Sequence, residues 1–573
     1  MKRDEIKVTD VWNEYKRGVN YNQSRNLYKE TEQCFNFYHG NQWEGLQSGN
    51  VQPIVYNVIK PTVKYKLGYL KTNDYQIVFN PNEWETFEQM DSIEKVCKML
   101  NSYANRIWEK EKVKSKIDES SKDSCICGEG IVHCYEEDGN IRCEVIDKQN
   151  IYYGNENEDS IQDQPYVIIS YRRPVEEVKK EAEQNGVSKE LIELISEDQQ
   201  TQEQSNPSLR NEELTPMCIV LTKYYKQNGV IFVEKSTQSV KIMTKQSTGL
   251  TLYPVAHMLW ENVKGSARGL GEVKYMIPNQ IELNKTATRR AIAVMMAAYP
   301  KLVANTSYIT DSSALEKVGT TIEVDKISAD DVNKIVSYLR PTSMSSDAYN
   351  LQEDLINKTQ DLAGAGDTAN GNVDPEQASG TAILAVQKAS QQPLNEQLDV
   401  YKQFIEDIAM IWFEMIKTYN TDGITVIDEQ TDVASKQTIE IPVKITAEEL
   451  EELKIHIKID ITPKSAYDKY AQERSLENLL SSGHITFKEY VSMLDDDSTM
   501  PKTKLEKLMK QREDEERAMM EMQKQANAIN SAMEQVMTGE EEKYGGVQNE
   551  MSTVQNSRNA STTSKEQQAN TQM

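Results

Sequence analysis

Five cysteine or histidine residues, types that bind zinc, lie between positions 125 and 143: Cys125, Cys127, His133, Cys134 and Cys143. Structural zinc is usually held by C-x2–4-C knuckles, in which two thiolates of one turn reach the same ion. Here the first spacing is C-x-C, and the next pair is His-Cys with nothing between. If Asp138-Gly139 makes a two-residue turn, Cys134 and Cys143 lie opposite each other on the two arms of a hairpin. That pair could hold a metal or a bridge, while His133 would point to the other face because side chains alternate along a strand. Small buried thiols filling a sheet core account for the same residues with no ligand. Cys134 and Cys143 are therefore metal candidates, and no cofactor is required.

Other chemistry finds less support. The P-loop pattern G-x4-G-K-[ST] is absent, and so is the G-x-S-x-G nucleophile elbow. Gly265-Ser-Ala-Arg-Gly-Leu-Gly271 is glycine-rich and precedes a helix but lacks the Lys-Ser/Thr end, so it reads as a hinge. The histidines at 39, 133, 257, 456 and 484 are dispersed and pair with no Cys or Ser in a known catalytic arrangement. Basic residues gather at Lys274, Lys285, Arg289, Arg290 and Lys301. They form either a stripe that meets phosphates or a solvated helix face with ion pairs.

The elements that position these residues belong to a chain of 573 residues, enough for roughly four packing units. Its net charge of −25 argues against coating duplex DNA, which needs clustered Lys and Arg. The longest apolar stretches, Ala291–Tyr299 and Ile408–Phe413, are too short to span a bilayer. The N-terminus lacks the apolar core of a signal peptide, and seven scattered cysteines suit a reducing compartment.

Periodicity predicts helices over 1–40, 57–73 and 84–120, then strands at 131–135, 141–146, 166–171 and 218–225. A charged insertion, 175–214, ends in a polar loop. Helices follow from about Pro278 to Ala298, over 346–362 and over 379–419, with a kink or a break expected at Pro393. Strands are expected near 302–304 and 320–324, and 454–461 alternates cleanly. Met519, Met522, Ile529, Met533 and Val536 suggest an amphipathic helix, and the polar chain beyond Gly539 a disordered tail.

The order of these parts is more informative than any one motif. It resembles the portal (head-tail connector) proteins of tailed bacteriophages across roughly residues 30–500. Tyr38-His-Gly-Asn-Gln-Trp43 looks like that family's aromatic-Gly-x-Gln-Trp stretch, and Asn57-Val-Ile-Lys-Pro-Thr-Val63 through Gly68-Tyr-Leu70 like the helix after it. Gly128-Glu-Gly130 and Val145-Ile-Asp147 to Tyr152 resemble its wing sheet, and Ala378-Ser-Gly380-Thr-Ala-Ile383 the entry to its tunnel helix.

The resemblance implies an α+β fold: an arm at 1–29, a mixed α/β wing at 30–262, and a hinge with the first stem helix at 263–298. A small α/β clip at 299–345, a second stem helix at 346–363 and a tunnel loop at 364–378 would follow. A long wing helix and its connection (379–445), a helical crown (446–540) and the tail (541–573) complete it. It also implies a non-enzymatic homo-oligomer, typically a dodecamer, assembled in the host bacterial cytoplasm and sited at one capsid vertex of the virion. Through this channel DNA would be packaged and ejected. The partners implied are double-stranded DNA, the large terminase (the packaging ATPase), the major capsid and scaffold proteins, and head-tail adaptor proteins, with no membrane. Candidates for the DNA channel are Lys285, Arg289 and Arg290 on the first stem helix, and Gly364, Gly366, Asn370, Gly371 and Asn372 in the loop. Pro278 departs from the pattern by interrupting the stem, and nothing beyond 540 matches.

Two other classes remain open. A zinc-dependent hydrolase or nuclease would use the Cys125–Cys143 cluster. Another virion assembly protein, such as a scaffold, would be mostly elongated helix, unlike the alternating segments at 131–171 and 218–260.

Overall fold

The computed structural model describes residues 9–43, 52–81, 87–137, 139–198, 215–298, 301–305, 307–309, 311, 313, 323, 336–339, 346–365, 392–420, 423–431, 438–446, 449–450, 455–463, 466–494, 504–505 and 509. The chain divides into two compact units, Met1–Ser465 and Ala466–Met573.

Helices α1 (Asp10–Ser24) and α2 (Leu27–His39) meet at Asn26, whose left-handed φ of 55° ends the first repeat. Thr9 caps α1 by accepting the Trp12 amide at 3.3 Å, satisfying one of the orphan donors of a helix start. Helix α3 (Ile59–Thr72) carries Pro61 in its tolerant first turn and leads into strand β1 (Asn73–Pro81). The single helix expected over 84–120 is two, α4 (Phe87–Lys110) and α5 (Val113–Cys127), broken at Lys112 with φ 54°. The break has no Gly or Pro. Buried Leu100 and Trp108 before it and Val113 and Ile117 after it carry the apolar pattern straight through.

Strands β2 (Glu129–Glu137), β3 (Asn140–Ile146) and β9 (Val255–Leu259) form a three-stranded antiparallel sheet in the order β3-β2-β9. A five-stranded antiparallel sheet runs β4 (Ile151–Tyr153), β5 (Tyr166–Pro174), β6 (Met217–Gln227), β7 (Val230–Ser236) and β8 (Lys241–Ser247). The β6–β7 turn has φ of 53° at Asn228 and 82° at Gly229, the paired positive angles that match strand twist. The charged insertion holds α6 (Val175–Gln184) and α7 (Lys189–Ile192); its polar end, 199–214, lies outside the described residues.

Helix α8 (Glu272–Ala298) starts a turn and a half earlier than expected, with Pro278 inside it rather than at its start. Buried Val273, Met276 and Ile277 anchor the added turns, outweighing the hydrogen bond that proline removes. Strand β10 (Lys301–Ala304) pairs with β11 (Val336–Leu339), a strand the periodicity does not reveal; the strand expected at 320–324 falls almost wholly outside the described residues. Helix α9 (Ser346–Leu362) matches expectation. Pro393 sits in a short 3-10 turn before α10 (Asn395–Tyr419), so the chain does break there; 379–391 lie outside the described residues.

Helix α10 is the centre of the core. Phe404, Ile408, Trp412 and Ile416 are fully buried among Phe79, Leu100 and Trp108. Trp108 and Trp412 meet edge to face with centroids 6.3 Å apart, and each such side chain contributes about 1.5–3 kcal/mol by leaving water. The connection after α10 contains a hairpin, β12 (Ile424–Thr431) and β13 (Thr438–Ile445), that the sequence reading does not anticipate. Strand β14 (Ile455–Pro463), expected to open the helical end, pairs antiparallel with β1, Phe79 opposite Ile457.

In the second unit, α11 (Ala466–Ser481) and α12 (Phe487–Met493) pack through Leu476, Leu480, Tyr490 and Val491. Thr486 and Glu489 close a capping box at the start of α12. The helix expected at 519–536 and the tail lie outside the described residues.

Candidate functional site on helices α8 and α9

Gln280, Asn284 and Thr288 recur every four residues, so they stand in one row along α8. Four helical residues advance about 6 Å, close to the roughly 6.6 Å of two extended residues. The row therefore matches alternate amides of an extended segment laid along the helix. Thr288 Oγ1 accepts the Ile54 amide at 3.0 Å, Asn284 Oδ1 that of Tyr56 at 3.1 Å, and Gln280 Oε1 that of Val58 at 3.0 Å. Gln280 Nε2 also donates to the Tyr56 carbonyl at 2.7 Å. Asn284 Nδ2 donates to Gln42 Oε1 at 2.6 Å, and Gln42 Nε2 to the Phe37 carbonyl at 2.8 Å. Gln42 and Trp43, whose indole donates to the Ile54 carbonyl at 3.2 Å, thus tie the Tyr38–Trp43 phrase to the helix. Q-x3-N-x3-T on a helix is the one sign of this row in the sequence, and charge and apolar periodicity do not mark it.

The start of α8 is joined to the sheet strands β2 and β4 by buried charge. Arg268 donates to Glu129 Oε2 at 3.1 Å, to Glu156 at 3.0 Å through both Nε and Nη2, and to the Lys148 and Ile151 carbonyls at 3.1 Å each. Its guanidinium lies 4.5 Å from the centroid of the Tyr153 ring. Lys148 Nζ stands 3.3 Å from Glu129 Oε1 and donates to the Cys127 carbonyl at 2.6 Å. Burial alone would raise the Glu129 carboxyl, but Arg268, then Lys148 and His257, outweigh it and hold it at about 2. Of the three glycines expected to be a hinge, Gly269 and Gly271 serve close approach, while Gly265 lies in open space. A Cβ on Gly269 would stand 2.5 Å from the Gly128 carbonyl oxygen, and one on Gly271 2.5 Å from that of Ile126. Glu272 also pairs with Lys66.

The outer half of α8 carries the basic candidates. Lys285 and Arg289 both pair with Glu282, at 3.9 and 3.5 Å. Arg290 donates to Gln352 Oε1 at 3.2 Å and lies 4.4 Å from the centroid of the Tyr349 ring, tying α8 to α9. Lys274 pairs with Glu30 at 2.6 Å. Val294, Met295 and Met296 stand exposed near the end of α8, as do Tyr349, Leu351 and Leu362 on α9. Gly364 follows α9 with φ 67° and open space around it. Gly366, Asn370, Gly371 and Asn372 lie outside the described residues.

The cysteine cluster does not converge. Cys125 and Cys127 are buried at the end of α5, and burial pushes both thiols up. Cys134 and Cys143 pair across the hairpin with sulfurs 3.4 Å apart. His133 faces away from them; it contacts Glu144 at 3.1 Å and Tyr171 at 2.8 Å through Nδ1, and Tyr224 at 3.0 Å through Nε2. Both ring nitrogens are engaged, so His133 positions three side chains on the wall of a cleft of about 900 Å³. Among the described residues, no group of three or more His, Cys, Asp or Glu side chains is placed to hold a metal. No described helix is long and apolar enough to cross a membrane.

A family model described as the phage P22-like portal protein matches residues 14–550. The chain belongs to that portal family. The match takes in α8 and α9, the row that grips residues 54–58, and the joint around Arg268. No curated protein matches this portal-family chain.

Proposed function

We infer that the chain assembles into a ring at one capsid vertex of a tailed phage and forms the channel through which double-stranded DNA is packaged and ejected. The observation that carries this reading is the family match over residues 14–550. The exposed apolar residues of α8 and α9 support it, because side chains such as Val294, Met295 and Met296 left open to solvent are the kind of surface that copies of a chain bury against each other. The charge of −25 per chain suits a channel wall that repels phosphate and lets DNA slide. Lys285, Arg289 and Arg290 are proposed to face DNA as cations already shared with Glu282, Gln352 and Tyr349, so that each phosphate contact is weak and short-lived. Gly364, Gly366 and Gly371, with Asn370 and Asn372, are proposed to let the segment 364–378 change shape as DNA passes. The chain is proposed to hydrolyse no ATP and to receive the large terminase on segment 299–345. Capsid, scaffold and adaptor proteins are the other partners expected.

Negative-stain electron microscopy with mass photometry tests the ring. Closed rings with a central channel, at a mass near twelve times 65.5 kDa, are the expected result. Monomers at all concentrations, even with capsid and scaffold proteins co-expressed, would overturn it. Alanine at positions 364, 366 and 371 together is expected to lower packaged DNA; unchanged packaging removes the role of the loop.

A further inference from the structure

Cys134 and Cys143 occupy the kind of antiparallel strand pairing that brings facing side chains closest. The Cys134 amide points to β9, donating to the Pro254 carbonyl at 2.8 Å. Amides of one strand alternate in direction, so toward β3 the Cys134–Cys143 pair is non-hydrogen-bonded. Such pairs bring their Cα atoms to about 4.5 Å, closer than the hydrogen-bonded kind, and within the span that a disulfide tolerates. The sulfurs already lie 3.4 Å apart. Among the described residues strand β3 is an edge of its sheet, paired with β2 alone. Cys143 is half-buried and Cys134 fully buried, so a reagent from solvent reaches Cys143 first.

We propose that Cys134 and Cys143 form a reversible oxidative cross-link site that staples the edge strand β3 to β2 when the chain meets a small-molecule disulfide such as oxidised glutathione. The Cys143 thiolate attacks one glutathione sulfur, the glutathione S–S bond breaks, and the departing glutathione thiolate takes up the proton Cys143 lost. The Cys134 sulfur then attacks the Cys143 sulfur of the mixed disulfide and expels the second glutathione, its proton passing to that leaving group. Two protein thiols are oxidised, one glutathione disulfide is reduced, and two glutathione thiols are released. The hydrogen bond to Cys143, and then burial, push the Cys134 thiol well above its ordinary value. Cys134 therefore stays protonated until the mixed disulfide is delivered beside it. Neither step draws on the portal reading.

The test uses the full-length chain, reduced, desalted, and equilibrated with oxidised glutathione before alkylation. Arg142 lies between the two cysteines, so trypsin separates peptide 123–142 from peptide 143–148 unless a disulfide joins them. The expected result is the joined pair, with fragmentation placing the bond at Cys134 and Cys143, and its loss on adding dithiothreitol. The β3 amides should also exchange several-fold more slowly in the oxidised form. Cys143→Ser should abolish the joined pair while leaving the circular dichroism spectrum unchanged. A joint through Cys125 or Cys127, glutathione held on Cys143 with Cys134 still free, or both thiols free under full oxidation would each overturn the proposal.

Discussion

The two sides of α8 are built from similar residues and put to opposite use. From Glu272 to Thr288 one face of the helix is turned inward: buried Gln280, Asn284 and Thr288 bind residues 54–58, and half-buried Glu272 pairs with Lys66. On the more exposed side Lys285 and Arg289 share Glu282 at 3.9 and 3.5 Å, and beyond them Val294, Met295 and Met296 stand exposed. A buried polar group without a partner costs free energy, so the inward face fixes one position of the helix. The exposed side has its apolar surface still to bury. One helix thus serves a rigid joint at one end and an assembly surface at the other.

The largest expected break is Arg268→Ala, which leaves Glu129 buried without its main counter-charge. It should lower stability by about 3–5 kcal/mol in urea unfolding, and a loss below about 1 kcal/mol would show that the joint does not rest on charge. Gly128→Ala comes next, since its φ of 100° and a Cβ 2.3 Å from the Gly269 oxygen combine to cost about 2–4 kcal/mol. Gly265→Ala, in open space at φ 71°, should cost only about 1 kcal/mol, and equal effects would return the glycine stretch to a hinge.

Asn284→Ala strips a partner from both Tyr56 and Gln42 and should cost about 1–3 kcal/mol. The pH dependence sharpens the same contrast. The Glu129 carboxyl is held at about 2 against an ordinary 4.5, so its contribution is complete above pH 4.5 and is lost as pH falls through about 2. Glu129→Gln should flatten stability in that window. The smallest effect on folding is expected from Met295→Glu with Met296→Glu, within about 0.5 kcal/mol by urea midpoint. The same variant should abolish rings in mass photometry.

The strands expected at 131–135, 141–146, 166–171 and 218–225 were legible because alternation marks their faces, and the Asp-Gly turn marks the ends of the first two. The Cys134–Cys143 juxtaposition followed from that turn alone. The break at Lys112 was not legible, because apolar spacing continues through it with no Gly or Pro. Nor was β11, a four-residue strand whose partner is more than thirty positions away. Of the candidate stem residues, the sequence marked Lys285, Arg289 and Arg290 by charge but overlooked Gln280, Asn284 and Thr288. Uncharged polar residues acquire meaning only from the backbone they face.

The sequence by itself determined the α+β character, the hairpin turned at Asp138-Gly139 and the resemblance to the portal family, since the first two rest on local periodicity and turn chemistry. Only the tertiary structure decided that Gly128, Gly269 and Gly271 bring backbones together, and that β14 returns to pair with β1. It alone brought Arg268 to Glu129, a residue 139 positions away. Each depends on which distant segments meet, and a one-dimensional pattern records the needs of a residue without naming the partner that meets them.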